Sequence, residues 1–127
     1  MDENGIGKDV VDAAIAVHRE LGPGLLETVY EVVLIDELQK RGLKAERQVP
    51  VAITCRGVRF DEGFRVDIMI EDKVILELKS VERVNNTHKK QLLTYLKLTG
   101  LKLGFLLNFG ESMMKNGITR TVNGLPD

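Results

Sequence analysis

Apolar residues recur along the chain with two different periods, and the switch between them outlines the fold. Val10, Ala14, Val17 and Leu21 stand at helical spacing and predict a first helix over about Lys8 to Leu21, ended by Gly22-Pro23-Gly24. Leu26, Val29, Val33, Leu34 and Leu38 predict a second helix over about Leu25 to Arg41, with Gly42 as its C-terminal cap. The period then drops to two. Val49, Val51 and Ile53 alternate with polar neighbours, Arg56-Gly57 reads as a turn, and Val58 and Phe60 resume extended structure. Glu62 to Ile70 and Lys73 to Lys79 follow as two further strand segments. Helical spacing returns over about Thr87 to Thr99, closed by Gly100, before a buried strand over Lys102 to Phe109 and a short edge strand over Ile118 to Val122. The order predicts an α/β fold whose mixed central sheet joins an antiparallel meander to a parallel crossover strand, flanked by α-helices.

The two central strands allow a register argument. Phe64, Val66, Ile68 and Ile70 should point to one face, with Arg65, Asp67 and Met69 on the other. On the next strand Val74, Leu76 and Leu78 share a face, opposite Ile75, Glu77 and Lys79. A one-residue slip would set apolar residues against charged ones, so the pairing is strongly specified. It matches Ile70 with Val74, Ile68 with Leu76 and Val66 with Leu78, leaving Glu71-Asp72-Lys73 as a three-residue turn. Asp67 then lies opposite Glu77. Two like charges so close destabilise a sheet unless something positive lies between them. A divalent cation with oxygen ligands would serve, since Mg²⁺ is typically held by one or two carboxylates plus substrate phosphate. Lys79, two residues along the same face, could steady an attacking water or developing phosphate charge. The rival reading makes Asp67 and Glu77 solvent-facing partners of Arg65 and Lys79.

Composition narrows the options. The chain has 127 residues, a length that suits one domain, and 43% hydrophobic against 29% charged residues suits a globular protein. No apolar run approaches the ~20 residues that span a bilayer. Met1 to Lys8 carries Asp2 and Glu3 with no apolar stretch behind it, so no secretory signal is expected. One cysteine, Cys55, excludes an internal disulfide and fits a reducing, cytoplasmic setting; one Cys and two His cannot supply a four-ligand zinc cluster. A Walker-type loop and a dinucleotide fingerprint are both missing, and Cys55 stands at a strand end with nothing local to activate it as a nucleophile, so it reads as structural. The net charge of −1 and a pI of about 6.1 count modestly against a protein built mainly to grip duplex nucleic acid.

Helical residues add to the acid pair. Glu27 shares a helix face with Tyr30, Leu34 and Leu38, a face otherwise used for burial, where a carboxylate needs a partner or a metal. It also stands in a first turn, where the helix dipole alone favours an acid. On the third helix Gln91 and Tyr95 lie one turn apart, with His88 on the same side, and an amide and a phenol can position a phosphate or a water. Lys89 and Lys90 sit where the dipole disfavours cations, a weak hint of an anionic partner.

These residues resemble a known pattern. Asp67 followed by Glu77-Leu78-Lys79 is similar to the Asp…(Asp/Glu)-x-Lys motif of the PD-(D/E)XK nuclease superfamily, though Val66 stands where proline often precedes the first acid. Gln91 to Tyr95 resembles the Q-x-x-x-Y motif of its RecB-type branch, and Gly24 to Tyr30 matches the G-x-x-E-x-x-Y sequence that names one small family within it. The resemblance covers about Lys8 to Phe109. It implies Mg²⁺ or Mn²⁺ held by Asp67 and Glu77, with Glu27 completing the acidic cluster. It also implies Lys79 as the catalytic lysine, and Gln91 and Tyr95 lining the site. The expected function is metal-dependent hydrolysis of nucleic-acid phosphodiesters, DNA before RNA. The alternative is a nuclease-fold module that binds nucleic acid or protein with little or no catalysis. A homodimer would enlarge the binding surface of so small a domain.

Overall fold

The computed structural model describes residues 1–126. The first helix, α1, spans Glu3–Leu21 and begins more than a turn before its periodic apolar stripe. Asp2 caps it by accepting the Gly5 N–H at 2.8 Å. Ile6 is fully buried and Gly7 lies close against the Phe105 ring, so packing holds a first turn of otherwise weak helix formers. Helix α2 spans Glu27–Lys40 and buries Tyr30, Glu31, Leu34 and Leu38. Leu26 and Val29, expected on its apolar stripe, are exposed instead.

Five strands follow: β1 (Ala45–Cys55), β2 (Val58–Ile70), β3 (Val74–Lys79), β4 (Leu103–Asn108) and β5 (Ile118–Val122). They lie in sequence order across one sheet. All neighbours pair antiparallel except β3 and β4, which are parallel and joined through α3 (Asn86–Thr99). The segments Val58–Phe60 and Glu62–Ile70 form one continuous strand. Asn85 caps α3 by accepting the His88 N–H at 3.0 Å, and Gly100 closes it at φ 74°, the left-handed conformation that glycine adopts without steric cost. Asn85→Ala is expected to lower stability by about 1 kcal/mol, read as a shift of the urea midpoint.

The sheet separates two apolar layers. Ile68, Ile70, Val74, Leu76 and Leu78 pack with α1 and α2 residues such as Val10, Tyr30 and Leu34. Ile75, Met69 and Leu106 pack with Leu92 and Leu96 of α3. Here one expectation is corrected. Phe64 and Val66 do not share the face of Ile68 and Ile70; both join the α3 layer, as do Val49 and Val51 of β1. Both strands therefore change face at one rung, Gln48 opposite Asp67. Paired residues flank that rung on either side, Arg47 with Ile68 and Val49 with Val66. Gln48 has φ 53°, uncommon for a non-glycine residue, and this turn of the backbone breaks the period-two alternation.

Candidate active site

The expected register of β2 and β3 is observed over three pairs: Ile70 with Val74, Met69 with Ile75, Ile68 with Leu76. Glu71 and Asp72 both adopt positive φ, and the Lys73 N–H donates to the Ile70 carbonyl at 2.9 Å to close the three-residue turn. The expected fourth pair, Val66 with Leu78, does not form. The Leu78 N–H donates instead to Asp67 Oδ2 at 2.8 Å, so a side chain replaces the strand partner. The Asp67 N–H points back to Glu77 Oε1 at 3.4 Å. The ladder thus opens just where the acids stand, and each carboxylate is tied to the other strand.

Burial decides the electrostatics. Glu77 is only 8% exposed. Its removal from water, then the negative Asp67, push its carboxyl up to about 8, opposed by the positive Lys79. Arg65, the rival partner for Asp67, is turned to Glu62 at 2.7 Å. Tyr95 is half-buried and stacks on Phe64 with ring centroids 4.0 Å apart. Its phenol is raised by burial and then by the charges of Glu77 and Asp67, while a hydrogen bond with Gln91 lowers it. Asp67, Glu77, Lys79, Gln91 and Tyr95 therefore form one electrostatic neighbourhood. His88, beside them in sequence, has a solvent-shielded Nδ1 with no hydrogen-bond partner.

Glu27 behaves differently from its expected role. It is exposed and makes no hydrogen bond or ion pair among the described residues. No group of three or more His, Cys, Asp or Glu is placed to hold a metal among those residues. The buried carboxylate of α2 is Glu31, one turn later and 4% exposed. It accepts Arg47 Nε at 2.9 Å and Gln48 Nε2 at 3.1 Å on both oxygens, and Gln48 Nε2 lies 3.5 Å from Asp67 Oδ1. Sequence reading passed over Glu31, although its spacing to Leu34 and Leu38 sets it on the buried stripe.

The Gly24-to-Tyr30 segment has a structural logic of its own. Tyr30 stacks on Phe109 at 4.4 Å, donates its hydroxyl to the Gly22 carbonyl at 2.5 Å and accepts the Leu25 N–H at 3.1 Å. Gly24, at φ 95°, lets the intervening loop turn tightly enough for both bonds. The Leu25 carbonyl in turn accepts the Ser80 hydroxyl at 2.5 Å, which ties the loop to the residue after Lys79. Cys55 ends β1 as an exposed free thiol at the hairpin tip.

A mixed sheet flanked by helices, opening at an acid pair with a lysine beside it, defines a PD-(D/E)XK nuclease-like α/β fold. A model of the PD-(D/E)XK nuclease superfamily matches residues 4–121, and the chain belongs to that superfamily. No curated protein and no solved structure gives a match. Nucleases of this superfamily generally use divalent metal ions, and the superfamily implies a nucleic-acid substrate. The donor set fits such an ion: two carboxyl groups on adjacent strands offer hard oxygen ligands, and a cation bound there would take the place of the proton that burial and Asp67 keep on Glu77. No helix among the described residues is long and apolar enough to cross a membrane.

Proposed function

We propose that this chain is a metal-dependent nuclease of the GxxExxY type that hydrolyses nucleic-acid phosphodiesters, DNA before RNA. The observation that carries the reading is the acid pair at the opened ladder, with Glu77 buried against Asp67 and Lys79 next to both. In this reading Asp67 and Glu77 hold Mg²⁺ or Mn²⁺, with Glu27 available from the start of α2 as a further oxygen donor. The bound ion supplies Lewis-acid stabilisation of phosphoryl charge and lowers the pKa of nearby water. The Leu78 N–H fixes the rotation of the Asp67 carboxylate. Lys79 brings its ammonium beside Glu77, where it orients the attacking water and offsets charge growing on the phosphate. Gln91 holds the Tyr95 phenol by a hydrogen bond, and together they position a phosphate oxygen or a water.

A net charge of −1 favours one competing reading, a module that keeps the fold and the acids but performs little chemistry. Turnover with Mn²⁺ on single-stranded, duplex and branched DNA and on RNA separates the two, since the nuclease cleaves at least one of them. Thermal melts test the ion alone. At a hundredfold excess over its dissociation constant, Mn²⁺ is expected to stabilise the protein by about 2.7 kcal/mol. An unchanged melting temperature at millimolar Mn²⁺ would remove the metal from the proposal.

A further inference from the structure

The face change at Gln48 turns Val49, Val51, Phe64 and Val66 to the α3 layer, and it also brings polar groups together. A non-glycine residue at φ 53° inside a strand is strained and persists only where its surroundings over-determine it. Those surroundings are polar. Gln48 lies across from Asp67, and its amide nitrogen donates to both oxygens of Glu31 at 3.1 Å while reaching Asp67 Oδ1 at 3.5 Å. A primary amide has two N–H groups, and both are turned towards carboxylates. Glu31 itself is buried and fixed by Arg47 Nε at 2.9 Å, so it offers an immobile anchor rather than a mobile surface acid. On its other side Asp67 is held by the Leu78 N–H at 2.8 Å. One oxygen of Asp67 is therefore set by the backbone of β3 and the other is approached by an amide that α2 holds in place.

We propose that Gln48 is a positioning residue that fixes the orientation of the Asp67 carboxylate, with Glu31 and Arg47 as the anchor behind it. The inference builds on the assignment of Asp67 to the metal-binding site. It gives the left-handed strand residue a purpose, because only the face change brings the Gln48 amide and the Asp67 carboxylate together in one gap. It also gives a role to Glu31, a buried acid of α2 whose oxygens accept from Arg47 and Gln48. Outer partners of metal-binding groups typically change metal affinity by about 10–100-fold when removed.

Gln48→Gly is the informative variant, because glycine tolerates the positive φ while lacking the amide. Two measurements on the full chain decide the matter. In metal-free protein, the Leu78 amide should exchange its hydrogen about tenfold faster in Gln48→Gly, since a carboxylate freed on one side holds its N–H partner less firmly; the Leu76 amide should be unchanged. By calorimetry, Mn²⁺ should bind about tenfold more weakly. If Gln48 serves only to satisfy Glu31, stability falls but Leu78 exchange and Mn²⁺ affinity stay at the parent values, and the proposal is overturned. If the parent protein itself fails to bind Mn²⁺, the nuclease reading falls, and Leu78 exchange alone still decides whether Gln48 holds Asp67.

Discussion

Asp67→Ala and Glu77→Ala are each expected to reduce Mn²⁺-dependent cleavage by at least about a thousandfold, equivalent to roughly 4 kcal/mol of transition-state stabilisation. Each variant leaves a metal between one carboxylate and nothing, so affinity and charge neutralisation are lost together. The fold should survive both changes. Asp67 is only half-buried, and the backbone pairs between β2 and β3 end at Ile68 and Leu76, so each variant loses a side-chain link between the strands and keeps those pairs. Losing Asp67 does free the Leu78 N–H. Circular dichroism and urea midpoints near the parent values, with cleavage absent, are the expected combination. Cleavage equal to the parent in either variant would exclude the acid pair from the chemistry.

The second large effect concerns pH in the absence of metal. Burial and then Asp67 raise the Glu77 carboxyl from its ordinary 4.5 to about 8 in the folded protein. Between those values the folded state holds a proton that the unfolded chain has lost. The stability contributed by the neutral carboxyl is therefore complete below about pH 4.5. It declines as pH rises towards 8, with a slope approaching 1.4 kcal/mol per pH unit, roughly. Glu77→Gln, which mimics the neutral acid, is expected to flatten this slope and to exceed the parent in stability at pH 8 in a chelating buffer. Urea midpoints at pH 5, 6.5 and 8 measure it. Identical slopes in parent and variant would place the titration elsewhere. Divalent ions should act oppositely, stabilising the parent more at pH 8 than at pH 6, because binding requires the carboxylate to shed its proton.

Much of this architecture was legible in the residues, and for identifiable reasons. The β2–β3 register followed from alternation, because a slip by one residue would have set apolar residues of one strand against charged ones of the other. Helix ends followed where glycine or a cap spoke locally, as at Gly100. The start of α1 did not, because Asn4, Gly5 and Gly7 are poor helix formers and only the burial of Ile6 and the contact of Gly7 with Phe105 hold them. The face change of β1 and β2 was hidden for a different reason: periodicity assumes regular backbone, and one residue at φ 53° cancels it. Phe64 and Val66 lie across from Val51 and Val49, the residues beyond that break, and share with them the face turned to α3. Glu31 was overlooked because an acid on a helix reads by default as solvated, and its partners Arg47 and Gln48 lie on a strand with no apolar pattern to announce them. Glu27, expected on a buried face, lies one turn nearer the helix start and stands in solvent.

The rung formed by Gln48 and Asp67 also has a mechanical meaning. On one side of it the β1–β2 hairpin belongs to the layer of α1 and α2, and on the other it belongs to the layer of α3. One hairpin thus lines both apolar layers of the same sheet, and the rung is where its side chains exchange sides. It stitches the layer of α1 and α2 to the layer of α3, and the stitch lies beside the carboxylates.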